Sequence, residues 1–303
     1  MTTITKSRQL SHERAGSMSI NESFKLLLFC IEPTTEQLAA AEGHLATIKT
    51  RLASAFTVKS FLKTGSFSRR TFNKDSSDVD MFTVLSRDDM RWGRGYITSD
   101  TALDRIKQEL EGRFWNTNVY RDVHAIVVGF TDCEVDVVPS FFKGVTKQNW
   151  PLYSIPNGSG GWMEASPTLH NAYIAQKDKP AAGKIRGTAR LLKYWRDGRP
   201  ISSFHIELLL ASTGICKGVK SYADCVAETF QLLARQECRG VKDPMRVSGY
   251  VPAVKSENQR ETVLQSVRYS RDKALDALKA DAQGDINEAR RLWDIVFRGD
   301  FPW

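Results

Sequence analysis

Gly65-Ser66-Phe67-Ser68-Arg69-Arg70-Thr71, followed seven residues later by Asp78-Val79-Asp80-Met81-Phe82-Thr83-Val84-Leu85, is the stretch on which the reading of this chain turns. Met81 to Leu85 is mostly apolar and β-prone, so 79–85 is expected to be a strand. Side chains alternate faces along a strand, which puts Asp78 and Asp80 on the same side. Two carboxylates held that close repel unless a cation sits between them. An all-oxygen donor set suits Mg²⁺, which keeps water and phosphate oxygens as its other ligands. The Gly-Ser turn ahead of the pair offers backbone N–H groups and a hydroxyl to phosphates. A surface loop with an Asp-rich turn is the competing reading.

A third acid strengthens the chemical reading. Cys133-Glu134-Val135-Asp136-Val137-Val138-Pro139 alternates acid with apolar residue, so Glu134 and Asp136 share a face opposite Val135 and Val137. If this strand neighbours 79–85, its acidic face meets Asp78 and Asp80. Three converging carboxylates are the minimum for two metal ions that clamp an attacking oxygen and a leaving one. Asp136 is the preferred ligand and Glu134 its neighbour. The combination is what nucleotidyl transfer requires.

The 303 residues suffice for a large core and two lobes. A hydrophobic fraction of 41% and a charged fraction of 26% are those of an ordinary soluble protein. Lys+Arg of 43 against Asp+Glu of 35 leaves a net charge of +8, which favours polyanionic ligands, nucleoside triphosphates as readily as nucleic acid. The five cysteines are widely spaced and form no Cys-x-x-Cys, which argues against a disulfide framework or a structural zinc site. No apolar run approaches about 18 residues, so no membrane span is expected. Met1 to Ser19 is polar and lacks the apolar core of a signal peptide.

Residues 20–31 read as a short apolar helix. Leu38, Ala41, Leu45, Ile48 and Leu52 mark a long amphipathic one, capped near Thr34 or Thr35. His44 falls off that stripe and reads as solvated, not as a ligand. Strands are expected at 57–63, 79–85, 124–130 and 133–138, with Pro139 ending the last, and a helix at about 100–112 starting at Ser99 or Asp100. A loop at about 143–161 leads into helices at 168–177, 181–196, 203–216, 221–237, 257–283 and 285–297. This predicts a mixed α/β lobe over 1–160, a helical lobe over 161–303, and a cleft between them.

Gly65-Ser66, Ser77-Asp78-Val79-Asp80 and Val135-Asp136-Val137-Val138-Pro139 resemble the polymerase-β-type nucleotidyltransferase superfamily. Within it, the chain resembles the cGAS/DncV-like nucleotidyltransferases (CD-NTases), bacterial synthases of cyclic oligonucleotide signals. Arg190-Leu191-Leu192-Lys193-Tyr194-Trp195-Arg196 and Ser202-Ser203-Phe204-His205-Ile206-Glu207 resemble that family's two helical-lobe motifs, and Leu292-Trp293-Asp294-Ile295-Val296-Phe297 with Phe301-Pro302 its C-terminal segment. The chain has Phe297-Arg298-Gly299 where the family's usual wording has Phe-Gly.

The resemblance implies an α+β, two-lobed polymerase-β-like fold, in which a mixed-sheet lobe with an N-terminal spine helix precedes a C-terminal helical bundle lobe. Carried over, Gly65 and Ser66 would hold the β- and γ-phosphates, and Asp78, Asp80 and Asp136 two Mg²⁺ or Mn²⁺ ions. Lys193 would reach the triphosphate, Ser203 would add a hydroxyl, and Phe204 would stack on the donor base. On their residue chemistry alone, Lys193 reads equally as one cation on a basic helix face and Phe204 as core. His205 reads as a satisfied helix histidine, and Trp162, Trp195 and Trp293 as core or lobe-interface aromatics. Arg69 and Arg70 either steady phosphates or are solvated turn residues.

The resemblance further implies a monomeric enzyme of the bacterial cytoplasm that consumes ATP or GTP. Its cyclic product would switch on a separate effector in antiphage (CBASS) signalling. No Cys/His cluster matches the zinc insertion of the animal DNA sensor, so nucleic acid is not expected to be obligatory. Two other readings stand beside this one. A template-free transferase acting on RNA ends or proteins would share the acidic triad, and a basic nucleic-acid sensor with a degenerate site is opposed by the intact acids.

Overall fold

The computed structural model describes residues 18–74 and 78–303, so residues 1–17 of the polar N-terminal stretch and Ser77 of the acidic motif lie outside the described residues. Helix α1 (Ile20–Cys30) starts at a capping box, with Ser19 accepting from the Glu22 backbone and Glu22 from the Ser19 backbone. The same device, Thr34 with Gln37, starts α2 (Thr35–Ala55). Strand β1 (Val58–Lys63) is followed by a five-residue helix, α3 (Gly65–Arg69), and by β2 (Val79–Leu85). A small hairpin of β3 (Arg91–Trp92) and β4 (Gly95–Tyr96) precedes α4 (Ser99–Arg113), whose N-cap is Thr98, one residue ahead of the earliest start expected. Then come β5 (Asn118–Asp122), β6 (Ala125–Gly129), β7 (Glu134–Val145), β8 (Pro151–Pro156) and β9 (Trp162–Ala165). The remaining helices are α5 (Pro167–Asp178), α6 (Lys184–Trp195), α7 (Ser203–Thr213), α8 (Tyr222–Arg235), α9 (Glu257–Ala282) and α10 (Ile286–Val296).

The main sheet runs β1-β2-β7-β6-β5, with β8 added to β7 and β9 to β8. β2 and β7 are parallel, and the other pairs are antiparallel. Pro139 does not end β7 as expected. Pairing with β6 stops at Val137 and pairing with β8 begins at Phe141, so Pro139 falls where that side of β7 has no neighbour to receive an N–H. The expected loop at 143–161 likewise contains the end of β7 and all of β8, whose prolines sit at its two ends.

One face of the sheet is the core. Val79, Met81, Val135, Val137, Ile126 and Val128 pack against Ala41, Leu45, Ile48 and Leu52 of α2 and Leu103, Ile106 and Leu110 of α4. Each such buried Leu or Ile contributes about 1.5–3 kcal/mol. Leu38, in the first turn of α2, stays exposed. On the opposite face, Phe82, Ala125, Val138 and Ile155 form a smaller apolar cluster.

Contacts divide the chain into two compact units. The sheet unit is Pro33–Ala175 with Lys242–Gly249, and the helical unit is, among the described residues, 18–32 with Gln176–Val241 and Tyr250–Trp303. This differs from a division at 160/161 that leaves the N-terminal helices with the sheet. Phe24 of α1 meets Trp293 and Phe301 edge-on, at centroid distances of 4.8 and 4.9 Å, so α1 belongs to the core of the helical unit. Segment 242–249 joins the sheet unit through Asp243, whose Oδ2 lies 3.0 Å from His170 Nε2 and accepts the backbone N–H groups of Val247 and Ser248. Among the described residues, no helix is long and apolar enough to cross a membrane.

Candidate active site

Strand register assembles the acidic centre. Asp80 of β2 is paired with Asp136 of β7, Asp136 with Val127 of β6, and Val127 with Tyr120 of β5. Laterally paired residues share a face, so Asp80, Asp136, Val127 and Tyr120 form one row across the sheet, opposite the buried Val79 and Val135. Glu134 lies on the same face two residues before Asp136. Its Oε1 accepts a 2.9 Å hydrogen bond from the Tyr120 hydroxyl. Burial and that bond push the Tyr120 phenol up to about 12. Glu134 is thus engaged by Tyr120, and Asp136 is the carboxylate of the two that could hold a metal beside Asp80.

Burial pushes the half-buried Asp136 carboxyl up to about 8, and the negative charges of Asp80 and Asp78, then of Asp122 and Glu134, push the same way. This places the three predicted acids in one electrostatic neighbourhood. A desolvated, oxygen-only set carrying this much negative charge fits a hard divalent cation such as Mg²⁺.

The Gly-Ser segment abuts that row. The Thr64 backbone N–H donates to the Asp80 carbonyl at 2.8 Å, which extends the β1–β2 pairing to the start of α3. Gly65 has φ +59°, and a Cβ built there would lie 1.6 Å from Asp80 Oδ2, so only glycine fits. The expected turn is thus a short helix, and the Thr64 side chain does not cap it. Its first N–H groups have no carbonyl one turn earlier in the helix. Ser66 is buried at that first turn. Arg70, left-handed at φ 59°, closes the helix and is exposed. Arg69 is buried, with Nη1 3.5 Å from Asn171 Oδ1. Asn171 Nδ2 in turn donates to Ser68 Oγ at 3.0 Å, so α5 steadies α3.

The structure therefore brings Gly65, Ser66, Asp78, Asp80 and Asp136 together within the sheet unit. Lys193, Ser203 and Phe204 belong to the helical unit. Lys193 is in the last turn of α6 and is only 3% exposed. Ser203 and Phe204 open α7 after the N-cap Ser202, whose Oγ accepts from the His205 N–H. His205 is buried, its Nδ1 lies 3.1 Å from the Val251 carbonyl, and burial lowers its pKa, so it is a neutral packing residue.

Sequence reasoning missed Tyr120 and Asp122, which lie on the unassigned strand β5, and the tether through Asn171. It also missed the surroundings of His44. Nε2 of that residue lies 2.8 Å from Asp132 Oδ1, and its ring stacks on Phe130. Burial pushes the adjacent Cys133 thiol up to about 11, and Asp132, Asp78 and Glu134 add to the shift.

A Gly-Ser helix set beside carboxylates on parallel strands defines a nucleotidyltransferase of the polymerase-β-like fold. The model of the Second Messenger Oligonucleotide or Dinucleotide Synthetase (SMODS) domain matches residues 18–178, more than half of the chain, and the chain belongs to this family of cGAS/DncV-like nucleotidyltransferases. It is 22% identical over 239 residues to a probable cyclic nucleotide synthase of Bacillus cereus, covering 74% of this chain and 68% of the relative. It is 27% identical over 196 residues to the cyclic AMP-AMP-AMP synthase of Escherichia coli, covering 61% of this chain and 59% of that relative's length. The solved structure of Escherichia coli CdnC with ATP superposes with a TM-score of 0.70 at 19% identity, over 94% of this chain and 99% of that one. Bradyrhizobium diazoefficiens CdnG in complex with GTP gives 0.66 at 13% identity, over 92% and 99%.

Proposed function

We propose that this nucleotidyltransferase joins ribonucleoside triphosphates into a cyclic oligonucleotide, releasing pyrophosphate at each bond. The single observation that carries the reading is the side-by-side register of Asp80 and Asp136, with Gly65 against the Asp80 carboxylate. The donor's β- and γ-phosphates would lie on the uncapped first turn of α3, with the Ser66 hydroxyl as a further donor. Lys193 would supply a point charge to the triphosphate, Ser203 a hydroxyl, and Phe204 a ring face for the base.

Asp78, Asp80 and Asp136 would hold two Mg²⁺ ions, for which Mn²⁺ can substitute. The chemistry supplied by such cations would be a lowered pKa for the attacking ribose hydroxyl and charge neutralisation at the departing pyrophosphate. The three carboxylates would hold the cations, and Gly65, lacking a side chain, would let the phosphate-binding backbone lie against Asp80. Turning the linear intermediate round in the same site and repeating the attack closes the ring. ATP and GTP are the favoured substrates, since solved relatives of the same fold carry them. The product would activate a separate effector in antiphage signalling. Asp78→Asn combined with Asp80→Asn is expected to abolish product with an unchanged circular dichroism spectrum. Normal turnover by that variant would overturn the assignment.

A further inference from the structure

Away from the carboxylate row, the loop between β6 and β7 (Phe130, Thr131, Asp132, Cys133) docks on α2. The Phe130 ring stacks on His44 with centroids 3.8 Å apart and 12° between planes. A ring nitrogen of His44, a carboxylate oxygen of Asp132 and the Cys133 sulfur all lie within 4.8 Å of one another, the only such donor group among the described residues. We propose that His44, Asp132 and Cys133 form a metal site separate from the carboxylate row, selective for Zn²⁺ or a similar thiophilic divalent cation.

The donor chemistry sets the selectivity. A thiolate and an imidazole suit Zn²⁺ and exclude Mg²⁺, which takes oxygen ligands. Tetrahedral Zn²⁺ with such ligands needs donors about 3.4–3.7 Å apart, given its bond lengths of about 2.0–2.3 Å. Here all three donors lie within 4.8 Å of one another and His44 Nε2 is 2.8 Å from Asp132 Oδ1, so the adjustment, at most about 1 Å, falls at the Cys133 sulfur. Cys133 closes the four-residue loop and the Asp132 side chain within it is 43% exposed, so the loop can bring the sulfur in while the His44–Asp132 pair opens by about 0.5 Å. His44 sits midway along the 21-residue α2, and its ring stacks on Phe130. The surroundings are negative, since Asp132, Asp78 and Glu134 all act on the Cys133 thiol. Three protein ligands leave the fourth position to water. The site would hold the β6–β7 loop against α2, on the strand that carries Asp136. A bare His–Asp pair beside an inert thiol is the alternative, and it would not bind such a cation through sulfur.

Co²⁺ titration of the full chain, with Mg²⁺ in excess to occupy the carboxylate row, separates the two. A near-ultraviolet sulfur-to-cobalt charge-transfer band is expected to saturate at one equivalent. It should vanish in Cys133→Ser, and in His44→Ala the affinity should fall by about tenfold or more. Both side chains are partly exposed, so each variant is expected to melt like the parent in chelator. No charge-transfer band in the parent, or an undiminished band in Cys133→Ser, overturns the site. Neither result bears on nucleotidyl transfer, which the Mg²⁺-supported reaction reads independently.

Discussion

Asp136→Asn in metal-free protein should weaken the pH dependence of stability that the acidic row imposes. In the folded chain the Asp136 carboxyl is pushed up to about 8 from an ordinary value of 3.8, by burial first and then by Asp80 and Asp78. The folded state therefore holds the proton more tightly than the unfolded state. Stability from this group is present below pH 4 and is lost as pH rises towards 8, with a slope of at most about 1.4 kcal/mol per pH unit. A shift of about four units would amount to roughly 6 kcal/mol, and solvent access to the half-buried carboxyl reduces that to about 2–3 kcal/mol. Thermal melts in chelator from pH 5 to 9 should show the parent losing several degrees, with Asp136→Asn losing markedly less. Mg²⁺ should restore the parent's melting temperature at pH 8 and leave the variant's unchanged. Parallel pH profiles for the two proteins would refute the coupling of Asp136 to Asp80 and Asp78.

Gly65→Ala forces a methyl group into the Asp80 carboxylate at a left-handed backbone position. It is expected to cost about 1–3 kcal/mol of stability and about 100-fold in product formation, read by pyrophosphate release. Asn171→Ala removes the tether on Ser68 and Arg69 and should raise the KM for triphosphate by about three- to tenfold with kcat little changed. An unaltered KM would show that α3 needs no support from α5. Asp243→Ala removes the buried carboxylate that faces His170 and accepts from three backbone N–H groups, and should cost about 3–5 kcal/mol in urea unfolding. A loss below about 1 kcal/mol would remove Asp243 as the anchor of segment 242–249.

The central strands were legible because their chemistry alternates. Asp78 to Leu85 and Glu134 to Val138 place acid on one face and valine or methionine on the other, and strand pairing in the structure keeps them so. The long helices were legible for the same reason, through their period and caps. What was not legible depends on neighbours distant in sequence. The continuation of β7 through Pro139 is possible only because β6 has ended and β8 has not begun at that point. The meeting of His44 with Asp132 spans 88 residues. The membership of α1 in the helical unit rests on Phe24 finding Trp293 and Phe301 at the far end of the chain. Gly65 was picked out as a phosphate-binding residue, but its contact with Asp80, which makes glycine mandatory, appears only in three dimensions.

Mass spectrometry of the reaction with the four ribonucleoside triphosphates and Mg²⁺, treated with phosphatase, tests the central claim most directly. The expected result is a phosphatase-resistant small product whose mass is that of a closed ring of nucleoside monophosphates, absent from the Asp78→Asn, Asp80→Asn variant. Product that forms only after RNA or protein is added, with the nucleotide on that acceptor, would contradict ring synthesis and point to a transferase acting on a macromolecule.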